Sequence, residues 1–189
     1  MRHKRLQRLQ NALDKRIGSL AVVLEAVYLR HNLSAVLRTA EAFGIQDIHL
    51  VSAGQPIEHG VARGAEKWVS LHVYSSIDEC ITTLKQAGFA LYAADLNPKA
   101  YTPETLPIHQ KTAILFGTEL AGISETARQL ADGFIVIPMV GLTQSLNVSV
   151  AAACILSRLS TRHREAIGGG DLSAVRKSDL LNFWQQRER

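Results

Sequence analysis

Short apolar runs alternate with amphipathic stretches along the whole chain. Leu20 to Leu24, Asp47 to Val51, Val69 to Val73, Phe89 to Ala94, Thr112 to Phe116 and Phe134 to Pro138 are brief and dense in branched and aromatic residues, the pattern of buried strands. Between them the apolar positions change period. Leu33, Val36, Leu37, Ala40 and Phe43 recur at helical spacing, and helices are expected over Leu33 to Phe43, Ile77 to Ala87, Ser124 to Ala131 and Leu146 to Arg162. An opening helix near His3 to Arg16 and a closing one near Lys177 to Gln186 complete the set. Strands alternating with helices predict an α/β fold with a mainly parallel sheet. Gly168-Gly169-Gly170 reads as a flexible joint before the closing helix, and neither a domain-sized linker nor an internal repeat interrupts the pattern.

Composition narrows the class. With 189 residues, 47% of them hydrophobic, the chain suits one domain with a substantial core. Its longest apolar runs fall well short of the roughly 18 residues of a membrane span. The basic start, Met1 to Arg5, leads into no apolar segment, so a cytoplasmic protein is expected. Cys80 and Cys154 form no CxxC pair and read as packing residues of a reducing compartment. The histidines show no HxxxH or HExxH spacing, so no metal is expected. The formal charge of +4 is modest, but the cations gather at both ends. Arg2, Lys4, Arg5, Arg8, Lys15 and Arg16 crowd the start, and Arg158, Arg162, Arg164, Arg176 and Lys177 lie near the finish, a distribution suited either to a phosphate backbone or to solvated helix faces.

Candidate chemistry sits at strand-to-helix junctions, where free N–H groups and the positive end of a helix converge. No GxGxxG follows the first strand and no P-loop is present, which disfavours a dinucleotide enzyme or an NTPase. Three other segments stand in their place. The first is His31 to Ala40, where Asn32 is placed to cap a helix and Arg38, off the apolar stripe, to pair with Glu41. The second, Leu115 to Ser124, follows a buried strand with Gly117, which would let a ligand approach the backbone, and ends on Ser124 as a helix cap. In the third, Ile137 to Ala151, a strand breaks into Gly141-Leu142-Thr143-Gln144 and order resumes at Ser145-Leu146-Asn147-Val148-Ser149, where Ser145 and Asn147 serve equally well as caps or as ligands.

In order and content these segments resemble the three motifs of the SPOUT methyltransferases, most closely the SpoU/TrmH-type branch that methylates ribose 2′-hydroxyls of RNA. The likeness covers roughly residues 18 to 165. It implies a Rossmann-like parallel sheet with a C-terminal trefoil knot, an architecture that general topology rules would not suggest. It implies three regions: a basic N-terminal helix over 1–18, the methyltransferase domain over 19–165 and a C-terminal extension over 166–189. It implies S-adenosylmethionine as cofactor, held by backbone groups of Ala94, Leu115, Gly117, Ile137, Met139 and Leu146. Transfer RNA is the implied substrate, with the D-loop guanosine at position 18 as target, and a homodimer the implied assembly.

The resemblance assigns the central catalytic role to Arg38, with Asn32, Glu119, Ser145 and Asn147 around it, and Arg5, Arg8, Arg63, Lys67 and Arg162 as RNA contacts. A guanidinium with a pKa above about 12 is a poor base, so Arg38 is better read as an electrostatic clamp on a developing alkoxide. Two departures stand out. Leu120-Ala121 follows Glu119 where relatives usually carry a lysine, and Gly60 to Trp68 holds more charge than expected. A different RNA, or a non-catalytic RNA-binding relative, are the alternatives.

Overall fold

A computed structural model describes residues 2–26, 30–52, 64–108, 111–118 and 121–187. Six strands, β1 (Ile17–Glu25), β2 (Ile45–Val51), β3 (Ser70–Tyr74), β4 (Ala90–Ala94), β5 (Thr112–Phe116) and β6 (Gly133–Ile135), form a single sheet in the order β3-β2-β1-β5-β4-β6. Every pairing between them is parallel. Around the sheet lie α1 (Arg2–Leu13), α2 (Arg30–Ala42), α3 (Ile77–Gln86), α4 (Glu125–Leu130), α5 (Val148–Ile167) and α6 (Ala174–Arg187), with a 3₁₀ turn at Ala65–Lys67. The α/β expectation and all six strands are thus present.

The central strands are apolar at nearly every position because both faces are covered. Alternation sorts their side chains into two layers. Leu20, Val22 and Leu24 of β1, with Ile114 and Phe116 of β5, pack against Leu33, Val36, Leu37 and Ala40 of α2 and Ala152, Ile155, Leu156 and Leu159 of α5. Ala21, Val23, Ala113 and Leu115 face the other way, against Ile77, Cys80, Ile81 and Leu84 of α3 and Ala127 of α4. Burial pushes the Cys80 thiol up to about 12, so it is an inert packing group. Cys154, expected to be buried, is exposed instead.

A third cluster joins the chain ends: Leu9 and Leu13 of α1 meet Leu172 and Trp184, with Trp68, Leu180 and Leu181 around them. Asp171 clips this unit to the sheet by accepting hydrogen bonds from the N–H groups of Gly18 (2.5 Å) and Ser19 (3.0 Å), while its own N–H donates to the Arg16 carbonyl at 3.0 Å. Lys177 adds an ion pair with Asp14 at 2.8 Å. The glycine run before it is therefore no flexible joint. Gly168 closes α5 with φ +76°, and a Cβ on Gly170 would stand 2.3 Å from the Asp14 carbonyl oxygen, so this segment is packed hard against the α1–β1 turn.

Several boundaries differ from the sequence expectation. Asn32 does not cap α2 but lies in its first turn, because the helix begins at Arg30. α5 starts at Val148, not Leu146, and runs on to Ile167. β6 pairs only as far as Ile135, after which the Val136 N–H donates to the Tyr101 carbonyl at 2.8 Å and the chain leaves the sheet. Most of the C-terminal cations are also structural: Arg176 pairs with the buried Asp47, and Arg164 donates to the carbonyl of Phe43.

Two predictions follow from packing alone. Gly44 turns the chain at φ +71°, and a Cβ there would meet Arg164 Nη2 at 2.7 Å, so Gly44→Ala should lower stability by about 1–3 kcal/mol in denaturant titration. On the β2–β3 edge, His49 is buried, stacked on His72 at 4.6 Å and 3.1 Å from the Tyr74 hydroxyl through Nδ1. Burial, reinforced by His72, pushes its pKa from 6.5 down to about 4. The unfolded chain therefore takes up this proton first, and His49 should remove up to about 3 kcal/mol of stability as pH falls from 6.5 to 4. His49→Gln should flatten that slope in unfolding measured across this range.

Candidate active site

Parallel strands deliver their loops to one edge, and there the first and third sequence segments meet. Asn147 caps α5: its Oδ1 accepts from the N–H groups of Ser149 (2.9 Å) and Val150 (3.4 Å) and from the Ser149 hydroxyl (2.6 Å). That use of the oxygen turns the Asn147 Nδ2 toward α2, where it donates to Asn32 Oδ1 at 3.1 Å. Asn32 is 2% exposed, so this contact bridges the starts of two helices inside the protein. Ser145, the alternative cap, stays outside the helix and lines a cavity.

Arg38 leaves the same helix on its solvent side. It opens onto a groove of about 770 Å³ that Thr39, Phe43, Lys67, Trp68 and Ala153 also line. The expected pairing with Glu41 does not form, because Glu41 Oε1 accepts from buried Arg16 at 3.0 Å. Among the described residues Arg38 makes no ion pair, and Glu41 and Lys67 line the groove with it.

A smaller cavity, of about 130 Å³, lies beside the ends of β4 and β6. Ala94, Ile137, Met139 and Leu146 line it together with Ser145 and Asp95. Asp95 is held by an ion pair to Arg128 on α4. From Ile137 to Leu146 the backbone makes no hydrogen bond among the described residues, and Val140 and Leu142 stand fully in solvent at 106% and 104% exposure. This segment offers donors, acceptors and apolar side chains at once.

Leu115 and Gly117 do not line this cavity. The Leu115 side chain is core on the α3 and α4 face, and the close approach that Gly117 permits is to its own loop: a Cβ there would lie 2.1 Å from the Gly122 carbonyl oxygen. The Thr118 N–H donates to that oxygen at 2.9 Å. Ser124 caps α4 as expected, accepting from the Ala127 N–H at 3.1 Å. Arg5 and Arg8 lie on the exposed side of α1, and Arg162 donates to the Pro103 carbonyl at 2.6 Å. Glu119, Leu120 and Arg63 lie outside the described residues.

Sequence reading missed Glu25. It ends β1 with its carboxylate buried, accepting from the Ser124 N–H at 3.0 Å, and so ties the central strand to the second segment. A lone acid closing an otherwise apolar strand was the available signal.

The two duties of Asn147 can be separated. Asn147→Asp keeps the helix cap but loses the donor to Asn32, whereas Asn147→Ala loses both. Thermal or denaturant unfolding should show the alanine variant less stable by about 1–2 kcal/mol relative to the aspartate one.

A family profile described as the SpoU rRNA Methylase family matches residues 19–157. A tRNA (guanosine(18)-2'-O)-methyltransferase of Thermus thermophilus is 45% identical over 154 residues, 80% of this chain and 79% of the relative. The crystal structure of the TrmH/SpoU tRNA modifying enzyme of A. aeolicus superposes with a TM-score of 0.87 at 33% identity, covering 98% of this chain and 97% of that one. An AdoMet-bound rRNA methyltransferase from Sinorhizobium meliloti superposes with a TM-score of 0.69 at 25% identity, covering 82% of this chain and 60% of that one. With the profile spanning residues 19–157 and a relative 45% identical over 80% of the chain, this protein belongs to the SpoU methylase family.

Proposed function

We propose that this chain is an S-adenosylmethionine-dependent 2′-O-methyltransferase that acts on the ribose of guanosine 18 in transfer RNA. The observation that carries this reading is the Asn147 to Asn32 hydrogen bond, which locks the helix bearing Arg38 to the loop that ends the smaller cavity. Relatives with this activity in their names share 45% identity over four-fifths of the chain, which supports the substrate.

The residues present fit the cofactor. Apolar walls from Ala94, Ile137, Met139 and Leu146 suit a purine, and the unbonded backbone of the 137–146 segment can read its polar edge. This open cavity of about 130 Å³ is below the roughly 300 Å³ of a pocket for a whole drug-sized ligand, so it suits the adenine portion alone. When bound, S-adenosylmethionine supplies an electrophilic methyl group on a sulfonium whose sulfur departs neutral. Backbone groups of Leu115 and Gly117, at and just beyond the end of β5 next to β4, extend the cofactor site.

Arg38 stabilises the negative charge that builds on the attacking 2′ oxygen as the hydroxyl proton passes to solvent, the electrostatic role a guanidinium suits. Asn32 and Asn147 hold its helix, and Ser145 and Glu119 orient the ribose around it. Arg5, Arg8, Arg63, Lys67 and Arg162 contact phosphates, with the 1–18 helix and the 166–189 extension flanking a methyltransferase domain over 19–165. Val140, Leu142 and Val150 leave an apolar surface beside the cavity, which supports a homodimer closing over it. The trefoil knot comes with this branch of the fold, where the 137–147 segment enters α5. No helix among the described residues is long and apolar enough to cross a membrane, and a tRNA substrate supports a cytoplasmic site of action.

Radiolabelled S-adenosylmethionine and unmodified bulk tRNA should yield label on the D-loop guanosine ribose after nuclease mapping; label confined to ribosomal RNA would overturn the substrate but keep the chemistry. Arg38→Ala should slow transfer by about 100-fold or more without unfolding the chain.

A further inference from the structure

The carboxyl end of α2 is held by groups from outside the helix. Arg16, in the turn between α1 and β1, is 2% exposed, and its guanidinium donates to Glu41 Oε1 at 3.0 Å and to the Glu41 carbonyl at 3.5 Å. Arg164 of α5 reaches the Phe43 carbonyl and lies 3.4 Å from the Lys15 carbonyl. Trp184 of α6, 1% exposed, lies 5.2 Å from the Arg16 guanidinium and meets Trp68 edge to face at 5.4 Å. The α1–β1 turn, α5, α6 and the groove wall therefore converge on the end of one helix.

Two physical points make this more than surface decoration. The last carbonyls of a helix lack partners within it and carry the negative end of its dipole, so two guanidinium groups there both satisfy and anchor them. A buried guanidinium is also costly unless paired, which leaves Arg16 little freedom to take another position. Glu41 stands one turn after Arg38, and Glu41 and Trp68 both line the Arg38 groove.

We infer that Arg16 is a positioning residue for methyl transfer: by fixing Glu41 and the end of α2 against Trp184 of α6, it sets where Arg38 stands in the groove. The inference rests on the role given to Arg38 above. It ties the closing helix to the reacting site through one buried side chain, without contact between Arg16 and substrate.

The test compares wild type, Arg16→Lys, Glu41→Gln and the double variant in tRNA methylation, with S-adenosylmethionine affinity by calorimetry and thermal midpoints measured alongside. Each single change should lower kcat about tenfold while KM for tRNA and the cofactor Kd stay within twofold, since small misplacements of a reacting group act on rate. The double variant should be no slower than the singles, because both break one link. A folded Arg16→Lys with wild-type kcat, or losses that multiply in the double variant, overturns the inference. So does a loss that disappears when the assay runs far below the variant's thermal midpoint. If Arg16→Lys fails to fold, Trp184→Phe, which keeps an aromatic face under Arg16, should show the same kcat-only loss, and an unchanged kcat there overturns it. A wild-type chain that methylates no RNA overturns the reading of Arg38 itself, and the positioning role falls with it.

Discussion

A sheet whose strands all run the same way sends every strand's carboxyl end to one edge, and the rest of this protein follows from that. The two central strands, β1 and β5, are buried on both faces and carry few polar side chains within their length. Glu25 stands at the carboxyl end of β1, where it meets the start of α4. Residues far apart in sequence then become neighbours: Glu25 reaches Ser124 across 99 positions, and Asn147 reaches Asn32 across 115. The crevice outside those carboxyl ends is where open α/β sheets take their ligands.

The elements were legible because burial imposes a strong pattern. Each strand run in the sequence is a strand in the fold, and the Leu33, Val36, Leu37, Ala40 stripe is the face α2 buries. Boundaries were less legible, because they depend on partners elsewhere in the chain. Asn32 looks like a cap by residue type, yet its amide is occupied by Asn147, and α2 begins before it. Pro138 belongs to an apolar run, but β6 stops at Ile135 because the strand has nothing to pair with beyond that point except Tyr101.

Charge was the least legible feature. Arg8 and Arg16 are equivalent in composition, but one is exposed on α1 and the other is buried against Glu41 and Trp184. Arg176 likewise turns inward to Asp47, whose carboxyl burial would raise but which hydrogen bonds from His72 and Arg176 hold below its ordinary range. A count of cations near a terminus cannot separate structural guanidinium groups from those available to a phosphate, since the difference lies in long-range partners. For the candidate site, sequence order located Arg38 and the wall formed by Ile137, Met139 and Leu146, but not Glu25 or Arg16, whose partners sit 99 and 25 residues away.

The Asp171 clip also orders events during synthesis. β1 lies at the centre of the sheet, yet the two amides at its start stay without their native acceptor until residues about 153 positions later have emerged. At roughly 5–20 residues per second, that wait lasts about 8–30 s on the ribosome. A chain released short of Asp171 keeps every strand but leaves the amino end of its central strand unsealed, so a later-translated segment serves as a lock on an earlier one.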